Sequence, residues 1–286
     1  MGTFRFKRFE VVNERSAMKV NTDGVLLGAS MTILPSDRNL LDIGTGTGTI
    51  ALMAAQRHSD VQRSFVAANC HSDSGISSID HTVRRSISPS SCVDGRMVYG
   101  GTSEMNATLH IHAIDIDEAS AVEAAANFRN SPWAGNLQAF HASLDEYETT
   151  SVLPTYDLIF SNPPYFEDSL NAPEQRRNNA RHTSTGLSYR EILDFAAARL
   201  SDAGRVALVL PAETELPLCR HARMNGLHLS MITRIKTVPR KEPSRIVAEF
   251  SRVRPDSAVE RTLVIQNEGK YTEEYLSLMQ DFYLFA

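Results

Sequence analysis

The chain has 286 residues, 42% of them hydrophobic and 22% charged, with a formal net charge of −5. That is the make-up of a soluble globular protein with room for one large domain, alone or with an appendage. No run of roughly 18 apolar residues exists, so no transmembrane helix is expected. The basic, aromatic start Met1–Phe9 lacks the apolar core of a secretory signal. The acidic balance does not mark a dedicated nucleic-acid binder. Cys70, Cys92 and Cys219 form neither a CxxC pair nor a disulfide framework, which points to a reducing, cytoplasmic setting.

Residues 1–35 read as an N-terminal appendage ahead of a domain over 36–286. Leu40-Leu41-Asp42-Ile43 is a first strand ending in a glycine-rich turn, and Thr49–Arg57 has helical composition. Between Arg57 and Leu109 lie about fifty residues where a short connection is usual. This stretch, 58–108, is rich in Ser and Gly, lacks a sustained apolar period and reads as a flexible, partly disordered surface insertion. Its Cys70, His71, His81 and Cys92 match no zinc spacing, so no metal is expected.

Leu109–Asp117 is a second strand, Glu118–Arg129 a helix stopped near Asn130-Ser131-Pro132, Leu137–Phe140 a third strand and Tyr156–Ser161 a fourth. Tyr189–Leu200 is a helix closed by Asp202-Ala203-Gly204, and Arg205–Pro211 is a fifth strand. Later strands fit Leu229–Lys236, Arg245–Arg252 and Arg261–Gln266, with Tyr271–Phe285 a closing helix. Alternating strands and helices imply an α/β, doubly wound, mostly parallel sheet with helices on both faces.

Asp42-Ile43-Gly44-Thr45-Gly46-Thr47-Gly48 opens a helix, so glycines and free helix N–H groups converge on one space. A dinucleotide loop needs a glycine where Thr49 stands, and a P-loop needs a lysine that is absent. The acid followed by GxGxG instead resembles the S-adenosylmethionine loop of class I methyltransferases. The fold expected of such a chain is the seven-stranded methyltransferase sheet. Asp42, Gly44, Gly46 and Gly48 are then candidate cofactor residues. Asp115, at the end of the second strand, is placed to accept both ribose hydroxyls of a nucleoside. Asp117 points to the same side and competes with it, though one step further out. Many class I methyltransferases carry an acid after the third strand for the cofactor's adenine amine. Here Ser143 stands in that place, and its hydroxyl, its backbone or Asp145 are the candidates to substitute.

Asn162-Pro163-Pro164-Tyr165 follows the fourth strand. An Asn amide oxygen and a carbonyl held by prolines offer two acceptors to one planar NH2 group, and the Tyr ring offers a stacking face. Asn162, Pro163 and Tyr165 are the candidate catalytic residues, with Asn162 also facing the cofactor. Beside a methyl-donor loop, such a clamp makes an amine methyltransferase that works by positioning and electrostatics.

Five segments carry a closer resemblance: Met18–Gly28, Asp42–Gly48 with its helix, Asn162–Phe166, Arg177–Thr183 and the tail Asp281–Phe285. Together they resemble the bacterial methyltransferases that modify the adenosine next to the anticodon of valine tRNA. That resemblance implies N(6) methylation of an adenosine in tRNA with S-adenosylmethionine as donor. It also implies that residues 1–35 pack over the cofactor site, with Lys19 and Asp23 near the donor's methionine end.

Basic residues cluster at Arg5–Arg8, Arg176–Arg181 and Arg234–Arg245. Arg177, Arg181, Arg240, Lys241 and Arg245 are the candidate tRNA contacts. The expected partner is tRNA, with no membrane and no metal, and the expected state is a monomer. The alternatives are methylation of a protein glutamine amide, which also uses Asn-Pro-Pro-Tyr, a DNA base as target, and a non-catalytic RNA-binding protein of the same fold.

Overall fold

Aliphatic runs buried on both sides build the centre of one large sheet in a computed structural model of the protein, which describes residues 2–16, 18–72, 92–93, 96–97, 108–149, 152–164 and 187–286. In chain order the elements are β1 (Thr3–Arg5), β2 (Glu10–Val12), α1 (Thr22–Ser30), β3 (Asn39–Ile43), α2 (Thr49–Ser72), β4 (His110–Asp115) and α3 (Glu118–Arg129). There follow β5 (Leu137–His141), α4 (Leu144–Glu148), β6 (Tyr156–Ser161), α5 (Tyr189–Arg199), β7 (Leu200–Pro211) and α6 (Glu215–Met224). The chain ends with β8 (His228–Lys236), β9 (Arg245–Ser251), β10 (Val259–Val264) and α7 (Glu273–Met279).

Eight strands form the main sheet in the order β10-β8-β9-β7-β6-β3-β4-β5. β9 runs antiparallel to β7 and β8, and every other neighbouring pair is parallel. The expected doubly wound, mostly parallel architecture is present, with one correction: the sheet has eight strands rather than seven. The strand beyond seven is β10, read from the sequence as Arg261–Gln266, which pairs in parallel with β8 at the edge. The chain leaves β3 toward β4 and β5 on one side and returns to β6 on the other. This is the switch point where α/β sheets open a crevice at the carboxyl ends of their strands.

One face of the sheet packs α1, α2, the ring-rich N-terminus and the C-terminal tail around Leu27, Leu52, Met53, Phe6, Phe9 and Phe282. The other face packs α5 and α6 through Ile192, Leu193, Phe195 and Leu218. Residues 22–30 are not peripheral, because Gly24 through Ala29 are all buried.

Three boundaries differ from the sequence reading. α2 continues to Ser72, so the first part of the segment 58–108 is helix. Its early turns are buried and its later ones at most half-buried, which weakens the apolar period that would have extended it. Cys70, His71, His81 and Cys92 lie outside the residues whose side chains are described. Gly204 does not stop α5, which is capped at Leu200 and runs straight into β7. A Cβ at Gly204 would stand 2.6 Å from the Tyr156 carbonyl oxygen, so that glycine admits a close strand-to-strand approach. The tail is not one helix over 271–285. Tyr271 belongs to a two-residue strand, and α7 ends at Met279. Beyond it Tyr283 and Phe285 stack among Phe4, Phe6 and Tyr271.

Candidate active site

The carboxyl ends of β3, β4 and β6 deliver Asp42, Asp115 and Asn162 to one crevice. Ser161 Oγ donates to the Ile43 carbonyl at 2.6 Å and ties the end of β6 to that of β3. Gly44 and Thr45 donate their backbone N–H groups to the Ile114 carbonyl, at 2.9 and 3.0 Å. The glycine loop is thus strapped to β4. Gly44, Gly46 and Gly48 all have positive φ, of 72°, 57° and 80°. Gly48 is doubly constrained, since a Cβ there would lie 2.5 Å from Phe128 Cε1.

Asp42 is fully buried. Its Oδ2 accepts from Thr45 Oγ1 at 2.7 Å. Its Oδ1, equally buried, has no partner among the described residues. Burial pushes the carboxyl up to about 7, against the Thr45 hydrogen bond and a weaker pull from the Ala51 backbone N–H, and the nearby Asp115 adds to the rise. Asp115 is also raised by burial, but it accepts the N–H of Gly46 at 2.8 Å and that of Asp117 at 2.9 Å, one on each oxygen. Each oxygen keeps a second lone pair. Asp117 is engaged elsewhere: it caps α3, accepting from the N–H and the hydroxyl of Ser120.

These residues fit a nucleoside carrying an amino acid. An acid with one orphaned oxygen calls for a cation or a water. A carboxylate held rigidly by two backbone N–H groups suits a pair of hydroxyls. Ile116, between the two aspartates and 66% exposed, offers an apolar plate beside them. Ser143 caps α4 in a reciprocal box with Glu146, which engages its hydroxyl and its backbone N–H. That leaves its hydroxyl at most one further acceptor position, while Asp145 is exposed.

The N-terminal segment roofs the crevice. Glu14, Arg15 and Ser16 donate their backbone N–H groups to the buried Glu123 carboxylate at 2.9, 2.7 and 3.1 Å. Asn127, one turn further along α3, accepts from Val12 N–H and donates to the Val12 and Thr47 carbonyls. The strap then passes the glycine loop: a Cβ at Gly46 would stand 3.5 Å from the Met18 carbonyl oxygen. It ends at Asn162, whose Nδ2 lies 3.7 Å from Met18 Sδ and 3.4 Å from Asn21 Oδ1. Asn162 and Pro163 are both buried.

The other candidates are dispersed around this centre. Lys19 Nζ donates to the carbonyls of Asn13 and Glu14, at 3.0 and 2.7 Å, so in this structure it closes the strap on itself. Asp23 accepts from Arg245 Nε at 2.8 Å. The residue read as a donor contact and the one read as an RNA contact are therefore an ion pair joining α1 to β9. Arg240 and Lys241 are exposed on the turn between β8 and β9, at the same sheet edge as the crevice. Tyr165, Arg177 and Arg181 lie outside the described residues. Among the described residues no group of three or more His, Cys, Asp or Glu is placed to hold a metal. No helix among them is long and apolar enough to cross a membrane.

Sequence reasoning missed Glu123, Asn127, Asn21 and Ile116. The first two look like the solvent face of a helix, and nothing local marks them. Asn21 carried a readable signal, a capping residue just ahead of a helix.

A family model described as the RMKL-like methyltransferase domain matches residues 29–233. A tRNA1(Val) (adenine(37)-N6)-methyltransferase of Parabacteroides distasonis is 36% identical over 284 residues, covering 98% of this chain and 97% of the relative. Enzymes of the same name from Bacteroides fragilis and Klebsiella pneumoniae are 33% and 30% identical, again over 98% and 99% of this chain and 97% and 95% of their own lengths. Among solved structures, a predicted O-methyltransferase from Agrobacterium tumefaciens superposes with a TM-score of 0.55 at 14% identity, over 91% of this chain and 96% of that one. That likeness concerns the fold alone, a Rossmann-like sheet. With the donor-shaped crevice and Asn162-Pro163-Pro164 side by side, the chain belongs to the family of bacterial tRNA1(Val) (adenine(37)-N6)-methyltransferases.

Proposed function

We infer that this protein transfers a methyl group from S-adenosylmethionine to the exocyclic amine of an adenosine in tRNA, the one next to the anticodon of valine tRNA. The observation that carries this reading is Asn162, held at the end of β6 beside Asp42, Asp115 and the glycine loop, in a chain that shares its full length with enzymes of that name.

S-adenosylmethionine supplies a methyl on a sulfonium centre that is electrophilic without further activation. Asp42 would hold the ammonium of its amino acid end through the orphaned Oδ1. Gly44, Gly46 and Gly48 leave room for it along the loop, Asp115 would take the ribose hydroxyls, and Ile116 would lie against the adenine ring. Lys19, Asp23 and Ser143 would be outer contacts at most, since the strap carbonyls, Arg245 and Glu146 already engage them. Asn162 Oδ1 and the Pro163 carbonyl would accept the two N–H bonds of the target amine, and both hydrogen bonds strengthen as that nitrogen gains positive charge and its N–H groups become better donors. The nitrogen would bond to the methyl carbon as the carbon–sulfur bond breaks and its electron pair returns to sulfur, and it would then shed one proton to solvent, so a strong base is not required. Tyr165 would stack on a base turned out of its own stack. Arg177, Arg181, Arg240 and Lys241 would meet phosphates. Arg245 would act mainly by anchoring α1 through Asp23. The same reading places the protein in the cytoplasm, as a monomer.

Incubating the purified protein with labelled donor and tRNA lacking the modification tests this. Labelled N6-methyladenosine in valine tRNA is the expected product. Label in a protein glutamine, in DNA or in no substrate at saturating donor would overturn it.

A further inference from the structure

The backbone at the start of α1 dictates which way round the Asn162 amide is held. Asn21 caps that helix: its Oδ1 accepts the Gly24 N–H at 2.8 Å, and its Nδ2 donates to the Lys19 carbonyl at 3.2 Å. A backbone N–H can only donate, and a carbonyl can only accept, so the orientation of the Asn21 amide is fixed at both ends. The same Oδ1 lies 3.4 Å from Asn162 Nδ2, and Met18 Sδ lies 3.7 Å from it. Asn162 is 6% exposed, so solvent offers little compensation for a wrong orientation. Turned over, its amide would set oxygen against the Asn21 oxygen and the Met18 sulfur, with no hydrogen between them.

We propose that Asn21 is a positioning residue for methyl transfer: its side-chain oxygen, fixed by α1, holds the Asn162 amide nitrogen, so that Asn162 Oδ1 is the atom presented to the target amine. This rests on the reading of Asn162 as the acceptor for that amine. Asn21 acts through Asn162 and is not itself a catalytic residue.

Asn, Asp and Ser cap helices about equally well, which separates the two duties of this residue. Asn21→Asp keeps an acceptor at the same reach, though its second oxygen can no longer donate to the Lys19 carbonyl, whereas Asn21→Ser keeps a cap whose side chain is too short to meet Asn162. The experiment measures methyl transfer to valine tRNA at saturating donor and tRNA, together with donor affinity by calorimetry and Tm. Asn21→Asp should stay within about threefold of the wild-type kcat. Asn21→Ser should lower kcat roughly ten- to a hundredfold, the effect of losing the oxygen that orients a buried amide, with donor affinity, tRNA KM and Tm unchanged. In an Asn162→Ala background, Asn21→Ser should cost nothing more. Equal kcat for the Ser and Asp variants, or a Ser variant whose Tm and donor affinity fall in step with its rate, would overturn the proposal. A wild-type protein that methylates no RNA would instead refute the underlying functional reading, and the two failures are distinguishable within the one assay.

Discussion

The two edges of the central sheet bury charge in opposite ways. At the amino edge, Arg205 forms a two-pronged pair with Asp37, at 3.0 and 2.6 Å, and its Nε and Nη2 also donate to the Thr32 carbonyl. Arg57 donates to the carbonyls of Gly28 and Met31, and burial lowers it to about 10. Glu249 accepts the Thr32 N–H, and burial holds its carboxyl above the usual range. Asp157 accepts the N–H groups of Arg38 and Asn39 and the Ser201 hydroxyl. At the carboxyl edge, Asp42 is as deeply buried as any of these, yet one of its oxygens has no partner among the described residues. Arg205, Arg57, Glu249 and Asp157 meet their partners internally and clamp the fold, while Arg199 Nε, at the end of α5, is also buried there without a partner among the described residues. Asp42 keeps its unmet oxygen at the crevice formed by the ends of β3, β4 and β6. A missing partner points to function where it faces such a crevice, not through burial alone.

The sharpest way to break this contrast is at the amino edge. Arg205→Ala strands Asp37 without its cation, which should destabilise the protein by about 3 to 5 kcal/mol. Tm should fall by roughly 10 °C, while kcat per folded molecule stays unchanged. A loss of kcat without a loss of Tm would reverse the roles of the two edges.

Asn162→Ala should do the opposite. It should lower methyl transfer roughly a hundred- to a thousandfold, as removing one charge-stabilising contact does elsewhere. Donor affinity by calorimetry and Tm should remain near wild type. Equal loss of binding and rate would mean that Asn162 holds the donor instead of the target amine.

Asp42 sharpens the comparison through pH. Its pKa is raised from 3.8 to about 7 in the folded state, so the fold retains this proton and is destabilised as the pH rises through that interval. Asp42→Asn should therefore raise stability at pH 8 by roughly 1 to 3 kcal/mol and leave it nearly unchanged at pH 3, below the unfolded pKa. Donor binding needs the carboxylate, so wild-type affinity should climb as the pH passes about 7. In Asp42→Asn that climb should be absent. A wild-type affinity that is flat with pH would remove Asp42 from the ammonium contact.

The smallest effect belongs to the rim. Arg240→Ala and Lys241→Ala should each reduce the salt slope of tRNA binding by about one, without touching Tm or donor affinity.

The site was more legible in the sequence than the structure that holds it. Glycines before a helix and Asn-Pro-Pro after a strand are local signals, because the chemistry demands those residues within a few positions. The strap over the crevice is not local. It depends on Glu123 and Asn127, about a hundred residues from the backbone they bind, and as residues of a polar helix face they carry no mark. The same non-locality hid the pairing of Asp23 with Arg245, which assigned two partners of one ion pair to two different ligands. The later turns of α2 carry Val61, Phe65 and Ala68 at helical spacing, a half-buried stripe too weak beside its polar neighbours to extend the helix in the sequence reading. Gly204 carried the right residue type for a helix stop, but the structure uses its missing Cβ to pass the Tyr156 carbonyl.

Nucleoside mass spectrometry of valine tRNA from cells with and without the gene tests the central claim most directly. The adenosine beside the anticodon should carry N6-methyl only when the gene is present, and complementation with wild type, but not with Asn162→Ala, should restore it. Full modification in cells lacking the gene, or its restoration by the Asn162→Ala variant, would contradict the account.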